Sequence, residues 1–201
     1  MLKIENLARP GLKPVSLMLP AGAIGVLTGP SGSGKSLFAR AVVDLDPNTG
    51  EIWWKGRARS AMPAPQWRRL VGYVPAESGW WAERVGAHFK APDAMRPMLE
   101  AVGLPADAMD WPVSRTSTGE RQRLALLRAL EAEPEVLFLD EPTSALDAET
   151  AARVEALLLE RRRAGLTLMI ITHDPAQASR LGDIFWRIEK GAITLQEGAP
   201  A

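Results

Sequence analysis

The sequence predicts an α/β fold with a mainly parallel central sheet, an antiparallel β edge and a small inserted helical subdomain. Short apolar runs at Ile24–Thr28, Val136–Leu139 and Leu168–Thr172 are typical of buried strands. Helical spacing of apolar residues at Lys35–Val43 and Ala148–Arg162 separates these runs. Because strands alternate with helices, we expect a largely parallel sheet that is covered on both faces.

The remaining segments complete this layout. Further strands are predicted at Leu2–Leu7, Val15–Leu19, Glu51–Trp54, Ile184–Glu189 and Ala192–Gln196, and a helix at Pro175–Leu181. Strands near the two chain ends are expected to pair in antiparallel fashion. Short helical stretches near Glu83–Phe89, Ala94–Val102 and Gly119–Glu131 predict a helical subdomain at residues 77–131, inserted between core segments 1–76 and 132–201. A length of 201 residues suits a single domain of this kind.

Composition excludes several classes of protein. Lys and Arg together number 24, as do Asp and Glu, so the net charge is zero. The chain therefore has no overall electrostatic attraction to nucleic acid, and no such partner is expected. The chain has no cysteine, which rules out disulfides and thiolate metal sites. No apolar run approaches the ~20 residues that span a bilayer, and Met1–Arg9 lacks a leader's apolar stretch. We therefore expect a soluble chain.

The strongest motif is the octapeptide Gly29-Pro30-Ser31-Gly32-Ser33-Gly34-Lys35-Ser36 between a predicted strand and a predicted helix. It matches the P-loop pattern and predicts a P-loop NTPase that binds ATP. Glycines let backbone N–H groups turn around a polyphosphate, and the helix N-terminus adds positive potential. Lys35 is predicted to reach the β- and γ-phosphates, Ser36 to ligate Mg²⁺, and Leu37 to belong to the same site. The alternative is a Gly/Ser-rich turn with a solvated lysine.

Two carboxylates follow the predicted strand Val136–Leu139. Ligands of open α/β sheets bind beyond the C-terminal ends of the strands. Asp140 is therefore predicted to hold Mg²⁺ and Glu141 to polarise the attacking water as general base. The alternative is a helix start or a solvated acidic turn, since Glu141-Pro142-Thr143 also suits a helix N-terminus.

A polar turn, Thr116-Ser117-Thr118-Gly119-Glu120-Arg121-Gln122-Arg123, opens a predicted helix further along the chain. Together with the two preceding motifs it resembles the nucleotide-binding subunit of ATP-binding-cassette (ABC) transporters, over nearly the whole chain. In that family the turn reads roughly Leu-Ser-Gly-Gly-Gln. Ser117 and Gly119 match its serine and second glycine, Ser144-Ala145-Leu146-Asp147 looks like the D-loop, and His173 looks like the switch histidine.

The resemblance implies a RecA-like core and a mechanism shared between two cassettes. Each ATP lies between the P-loop of one cassette and the polar turn at residues 116–119, the signature turn, of the other. Ser117, Gly119 and Asp147 would then contribute to nucleotide binding in a dimer, and His173 would contact the γ-phosphate as a catalytic residue beside Lys35 and Glu141. The implied partners are a second cassette and a separate transmembrane permease subunit. The implied location is cytoplasmic, peripheral on the inner face of the membrane.

The sequence also departs from the family pattern. Thr118 stands where a glycine is usual, which either restricts the backbone or offers a hydroxyl to the phosphate. Ala76 occupies the position of the Q-loop glutamine, with Glu77 as a substitute ligand. No aromatic residue precedes Phe38, so adenine is expected to rest on Pro10 or Leu12.

Other observations leave the role of the chain open. The pair Trp80-Trp81 suits either docking of a membrane subunit or packing between the subdomains. A transport ATPase is the favoured function, and a soluble non-transport ABC ATPase is the alternative. A non-catalytic binding subunit is disfavoured because Lys35, Asp140 and His173 are all present.

Overall fold

The protein is described by a computed structural model that covers residues 1–200. Its strands are β1 (Leu2–Arg9), β2 (Leu12–Leu19), β3 (Ile24–Thr28), β4 (Thr49–Trp54), β5 (Arg57–Ala58), β6 (Val71–Val74), β7 (Val136–Asp140), β8 (Thr167–Ile171), β9 (Ile184–Glu189) and β10 (Ala192–Gln196). Its helices are α1 (Lys35–Val42), α2 (Ala64–Leu70), α3 (Pro92–Ala101), α4 (Thr118–Glu131), α5 (Ala148–Arg163) and α6 (Pro175–Leu181). Most boundaries agree with the sequence prediction to within a few residues.

The strands form two sheets. The larger has the order β10-β9-β3-β8-β7-β6, in which all pairs are parallel except β9 with β10. The smaller is fully antiparallel, in the order β2-β1-β4-β5. The predicted α/β fold, with a mainly parallel sheet and antiparallel edges at both chain ends, is confirmed.

The central sheet is buried on both faces, which explains its continuous apolar runs. Along β7, Leu137 and Leu139 join a core beneath α3, α4, α5 and α6. Val136 and Phe138 point the opposite way and join a second core with α1, α2 and the antiparallel sheet. Successive strand residues point to opposite faces, so a strand between two cores must be apolar at every position.

One helix, α2, and two short strands, β5 and β6, were not predicted from the sequence. Helix α2 lies in a Pro- and Ala-rich segment that reads as irregular, and β5 has only two residues. Pro63 is the N-cap of α2 and Pro65 lies in its first turn, where a missing N–H leaves no helical hydrogen bond unmade. Trp67 then anchors the helix: its ring is fully buried and its Nε1 donates to the Val42 carbonyl at 2.9 Å.

Between β6 and β7 the chain forms helices and helical turns, among them α3 and α4, together with an isolated β-bridge between Arg84 and Pro112. Helix α4 brings the polar turn of residues 116–119 beside the loop that follows β7. In the part of the chain that the structure describes, every helix is too short or too polar to cross a bilayer.

Candidate functional site

The loop between β3 and α1 borders a cavity of about 360 Å³ at the C-terminal ends of the parallel strands. The cavity is lined by Ser31, Gly32, Gly34, Lys35, Ser36, Leu37, Ala76, Asp140 and Glu141. The C-terminal edge of β7 therefore meets the glycine-rich loop, although more than a hundred residues separate them in sequence. Pro30 and Ser33 line a neighbouring cavity with Glu189 and Lys190.

The loop conformation depends on Gly29 and Lys35. Gly29 has φ 153°, and a β-carbon there would collide with the Ile188 carbonyl, so only glycine fits between the loop and β9. The Lys35 ammonium donates to the carbonyls of Gly29 at 2.7 Å and Pro30 at 3.0 Å. These bonds hold the positive charge over the loop, next to where a phosphate chain would lie.

Asp140, at the end of β7, provides an oxygen site suited to a divalent cation. Its carboxylate is 6% exposed and accepts hydrogen bonds from the Ser36 hydroxyl at 2.6 Å and the Tyr73 hydroxyl at 3.0 Å. Among the described residues no Lys, Arg or His forms an ion pair with it, although a buried carboxylate normally has a cationic partner.

This donor set fits Mg²⁺. Magnesium takes hard oxygen ligands, commonly one or two carboxylates completed by phosphate oxygens and water. Ser36 and Asp140 supply such oxygens side by side, and no larger cluster of His, Asp and Glu exists among the described residues. The remaining ligands would come from a bound polyphosphate.

Glu141 and His173 meet at the same edge of the sheet. Nδ1 of His173 lies 2.8 Å from Oε2 of Glu141, with the imidazole 71% exposed and the carboxylate 18% exposed. Glu141 has a left-handed backbone with φ 53°, and its N–H donates to the Ile171 carbonyl at 2.8 Å. The structure thus brings the predicted general base and the predicted switch histidine into direct contact.

The turn before α4 is a helix cap. The Ser117 hydroxyl accepts from the Glu120 amide at 3.2 Å, and the Glu120 carboxylate accepts from the Ser117 amide at 2.7 Å. Glu120, where the family pattern has glutamine, therefore completes a capping box. Ser117 and Thr118 are exposed, which leaves the helix N-terminus accessible from outside.

Gly119 has a packing role that sequence alone did not indicate. It is buried, and a β-carbon there would lie 2.8 Å from the Ala145 carbonyl oxygen and 2.9 Å from Cδ2 of Leu146. The signature turn and the D-loop-like segment are thus in close backbone contact within one chain. Asp147 caps α5, where its carboxylate accepts from the Thr150 amide at 2.9 Å. This hydrogen bond lowers the pKa of Asp147 below its usual value.

The structure shows the surroundings of the positions at which the sequence departs from the family pattern. Ala76 does line the phosphate-loop cavity, where its methyl side chain offers no ligand atom. Glu77 lines a second cavity beside α4, with Thr118 and Arg121, and does not replace the missing glutamine in this conformation. Leu12 is 4% exposed and has no free face for adenine, so the Leu12 alternative is wrong. Pro10 is exposed, and adenine contact there stays a prediction.

The two adjacent tryptophans differ in exposure. Trp80 packs partly against the core under α4, whereas Trp81 is 73% exposed. Both rings contact buried His88 edge-on, with centroids 4.7 Å and 4.6 Å away. The Arg128 guanidinium lies over both rings at 4.8 Å and 4.9 Å, and burial lowers its pKa.

Comparison with known proteins identifies the family. The family model described as ABC transporter matches residues 12–144, which include the phosphate loop, the signature turn and the carboxylates after β7. The chain belongs to the ABC transporter family. Within that family it is a nucleotide-binding cassette, because the matched residues are those that surround the phosphate-loop cavity.

Similar sequences in this family are importer subunits. The chain is 36% identical over 196 residues to the aliphatic sulfonates import ATP-binding protein SsuB 1 of Burkholderia cenocepacia, covering 96% of this chain and 61% of that protein. It is 37% identical over 200 residues to the methionine import ATP-binding protein MetN of Thermobifida fusca, covering 90% and 62%. The chain thus spans about three fifths of the length of these relatives.

Solved structures confirm the ABC cassette fold. An ATP binding subunit of an ABC transporter superimposes with a TM-score of 0.84 at 23% identity, covering 96% of this chain and 89% of that one. The cassette MJ0796, described as a dimeric post-hydrolysis state bound to ADP and Pi, gives a TM-score of 0.77 at 23% identity, covering 98% and 100%.

Sequence reasoning missed two side chains at this ABC site. Tyr73 reaches Asp140 from the end of β6, and Gln122 reaches the Glu141 carbonyl from α4. Burial, and then the nearby Asp140 charge, raise the pKa of Tyr73. The one available signal was that Tyr73 is the single tyrosine of the chain and stands at the end of an apolar run.

Proposed function

We propose that this chain is an Mg²⁺-dependent ATPase that powers an ABC transporter from the cytoplasmic face of a membrane. One observation carries the proposal: the glycine-rich loop, Asp140 and Glu141 line a single cavity, with His173 bonded to Glu141. Within this cavity each chemical requirement of phosphoryl transfer to water has a matching group.

The proposal gives each group at the cavity a role. The loop amides, the N-terminus of α1 and the Lys35 ammonium bind the polyphosphate. Ser36 and Asp140 would hold Mg²⁺, which would neutralise phosphate charge. Glu141 accepts a proton from the attacking water, and His173 orients that carboxylate through the 2.8 Å contact.

We further propose that the working form is a dimer of cassettes bound to a membrane permease. Within the described residues, Ser117 and Asp147 do not line the cavity of their own phosphate loop, and both are exposed. Such positions suit contact with ATP bound to a second cassette. The helical segment 77–131 would then act as the subdomain that presents Ser117, opposite the core formed by 1–76 and 132–201.

Glu141→Gln tests the ATPase proposal. The substitution keeps the size of the side chain but removes the base, so ATP hydrolysis should fall about a hundredfold or more while ATP binding persists. In gel filtration with ATP and Mg²⁺ the variant should elute as a dimer. Glu160→Gln, at an exposed position on α5, is the matched control and should behave as wild type.

If the Glu141→Gln variant elutes as a monomer at every ATP concentration, an ATP site shared between two cassettes is contradicted. If its rate of ATP hydrolysis is unchanged, the general-base role of Glu141 is contradicted.

The transport role is tested by purifying the tagged chain from detergent-solubilised membranes. Trp81 is the exposed anchor, so Trp81→Ser should reduce recovery of a membrane-spanning partner chain. Leu195→Ser is the control, since Leu195 is also a large apolar residue and is 66% exposed on β10. Recovery of soluble partners alone would favour a non-transport ABC ATPase.

A further inference from the structure

Gln122 connects the signature helix to the catalytic loop. It lies on α4, five residues after Ser117, and is only 7% exposed. Its Nε2 donates a hydrogen bond to the main-chain carbonyl of Glu141. The helix whose N-terminus faces outward thus also touches the backbone of the proposed general base.

The backbone of Glu141 needs such support. Its φ of 53° is left-handed, a conformation that is strained for a non-glycine residue. Its carbonyl also accepts from the Ser144 hydroxyl at 3.1 Å and the Ser144 amide at 3.3 Å. Because the Glu141 side chain projects from this backbone, the donors on the carbonyl restrain the position from which its carboxylate extends.

A contribution to stability does not explain why a glutamine occupies the buried position 122. Its Oε1 is buried without a hydrogen-bond partner, and the side chain borders the cavity of about 320 Å³ shared with Ala76 and Arg121. An unpartnered buried carbonyl is destabilising, and an apolar side chain of similar shape would avoid that cost. The feature that an apolar residue would lose is the bond to Glu141.

We propose that Gln122 is a positioning residue that sets the orientation of Glu141 according to the position of α4. This inference rests on the ATPase function proposed above. A shift of α4, whose first turn carries Ser117 and Gly119, would be transmitted through Gln122 to the base of the same chain. Gly119 adds a second contact along this route, because it packs against the Ala145 carbonyl.

The test uses two substitutions of Gln122 in the full chain. Gln122→Met keeps length and shape but removes the donor, so kcat for ATP should fall about tenfold to a hundredfold, as expected when a reacting group is displaced by about 1 Å. The KM for ATP should stay within about twofold of wild type, because the phosphate loop is untouched.

Gln122→Glu supplies a second readout, the pH dependence of kcat measured on protein that stays folded across the pH series. The introduced carboxyl can donate to the Glu141 carbonyl only while protonated, and burial raises its pKa. The charged and titratable groups nearby are Arg121 and Glu77 in the adjacent cavity, and Glu141 and His173 beyond the carbonyl. All four are the same in the wild type and in the Gln122→Glu variant. The ratio of variant to wild-type kcat should therefore fall as pH rises, whereas the Gln122→Met ratio should be flat.

Gln177→Met is the matched control. Gln177 is 1% exposed, and its amide bonds Thr143 Oγ1 at 2.6 Å and Glu155 Oε1 at 3.2 Å instead of Glu141. It should lose thermal stability but keep kcat. Equal loss of kcat in Gln122→Met and Gln177→Met, or wild-type kcat in both Gln122 variants, would overturn the positioning role.

An inactive wild-type chain would instead overturn the ATPase proposal and this inference with it. If Gln122→Met does not fold, the pH series of Gln122→Glu decides, and a pH-independent ratio overturns the proposal.

Discussion

Nδ1 of His173 lies 2.8 Å from Oε2 of Glu141, across the gap between the loops that follow β7 and β8. Strand pairing creates this contact, because β7 and β8 are parallel neighbours with Asp140 opposite Ile171. Residues just past the ends of both strands are therefore held side by side. Their interaction is a consequence of sheet register, and neither side chain could make it from a different strand order.

His173→Ala should uncouple nucleotide binding from hydrolysis. In the proposed function the imidazole orients the Glu141 carboxylate, so kcat should fall about a hundredfold while the Kd for ATP changes little. Steady-state phosphate release and equilibrium nucleotide binding check this. His88 offers a matched control, since it is the only other histidine and is bonded within the Trp80–Trp81 segment. A His173→Ala variant with wild-type kcat would contradict the role.

Tyr73 gives a direct spectroscopic test of the Asp140 site. It is the only tyrosine, and burial beside the Asp140 carboxylate raises its pKa above the usual value of about 10. The folded protein should therefore show no tyrosinate absorbance at about pH 10.5, whereas the unfolded chain should be more than half ionised there.

The sign of the effect on stability follows from this pKa. The folded state holds the tyrosine proton more tightly, so this contribution is present below about pH 10 and is lost as pH rises through the raised pKa. Asp140→Asn should bring the tyrosinate midpoint back toward about 10 by removing the negative charge. A folded wild-type midpoint near the model-peptide value would contradict the geometry.

Gly119→Ala should disturb the contact between the signature turn and the loop after Glu141. The new methyl would sit 2.8 Å from the Ala145 carbonyl oxygen, and overpacking of this kind costs about 1–3 kcal/mol. Urea unfolding should show this loss of stability. Gly79→Ala is the control, because a β-carbon there meets no atom within 4 Å and its φ is compatible with alanine. Equal stability of the two variants would contradict the packing assignment.

Asp46 links β1 to α1 and should contribute to stability in a pH-dependent manner. Its carboxylate bonds Arg40 at 2.7 Å and 2.8 Å and also bonds Arg9. Hydrogen bonding from Arg40 is the main reason that its pKa is lowered to about 2. Because the folded-state pKa is depressed, the contribution is complete above about pH 4 and is lost as pH falls toward about 2.

Asp46→Asn should therefore lower the free energy of unfolding by about 1 kcal/mol at neutral pH, a figure reduced for solvent screening. The difference from wild type should shrink as the buffer is acidified toward about pH 3. Thermal melts at a series of pH values check this. A difference that grows on acidification would contradict the assignment.

Local sequence determined most of the elements and the parts of the site that lie within one segment. The apolar run before Gly29 and the helical spacing after Lys35 define the phosphate loop without reference to the rest of the chain. The same holds for Asp140 and Glu141, which follow a strand that is buried on both faces. These features depend on short-range periodicity and turn chemistry, which a sequence displays directly.

Tertiary structure alone decided which distant groups meet. The bond of Tyr73 to Asp140 depends on β6 lying next to β7, and that of Gln122 to the Glu141 carbonyl depends on α4 packing over the same sheet. The close fit of Gly119 against Ala145 likewise exists only after the helical segment has docked. Contacts of this kind follow from strand order and helix packing, whose determinants are spread over the whole chain. The sequence therefore determined the proposed phosphate site, and the fold determined how Glu141, the proposed base, is held.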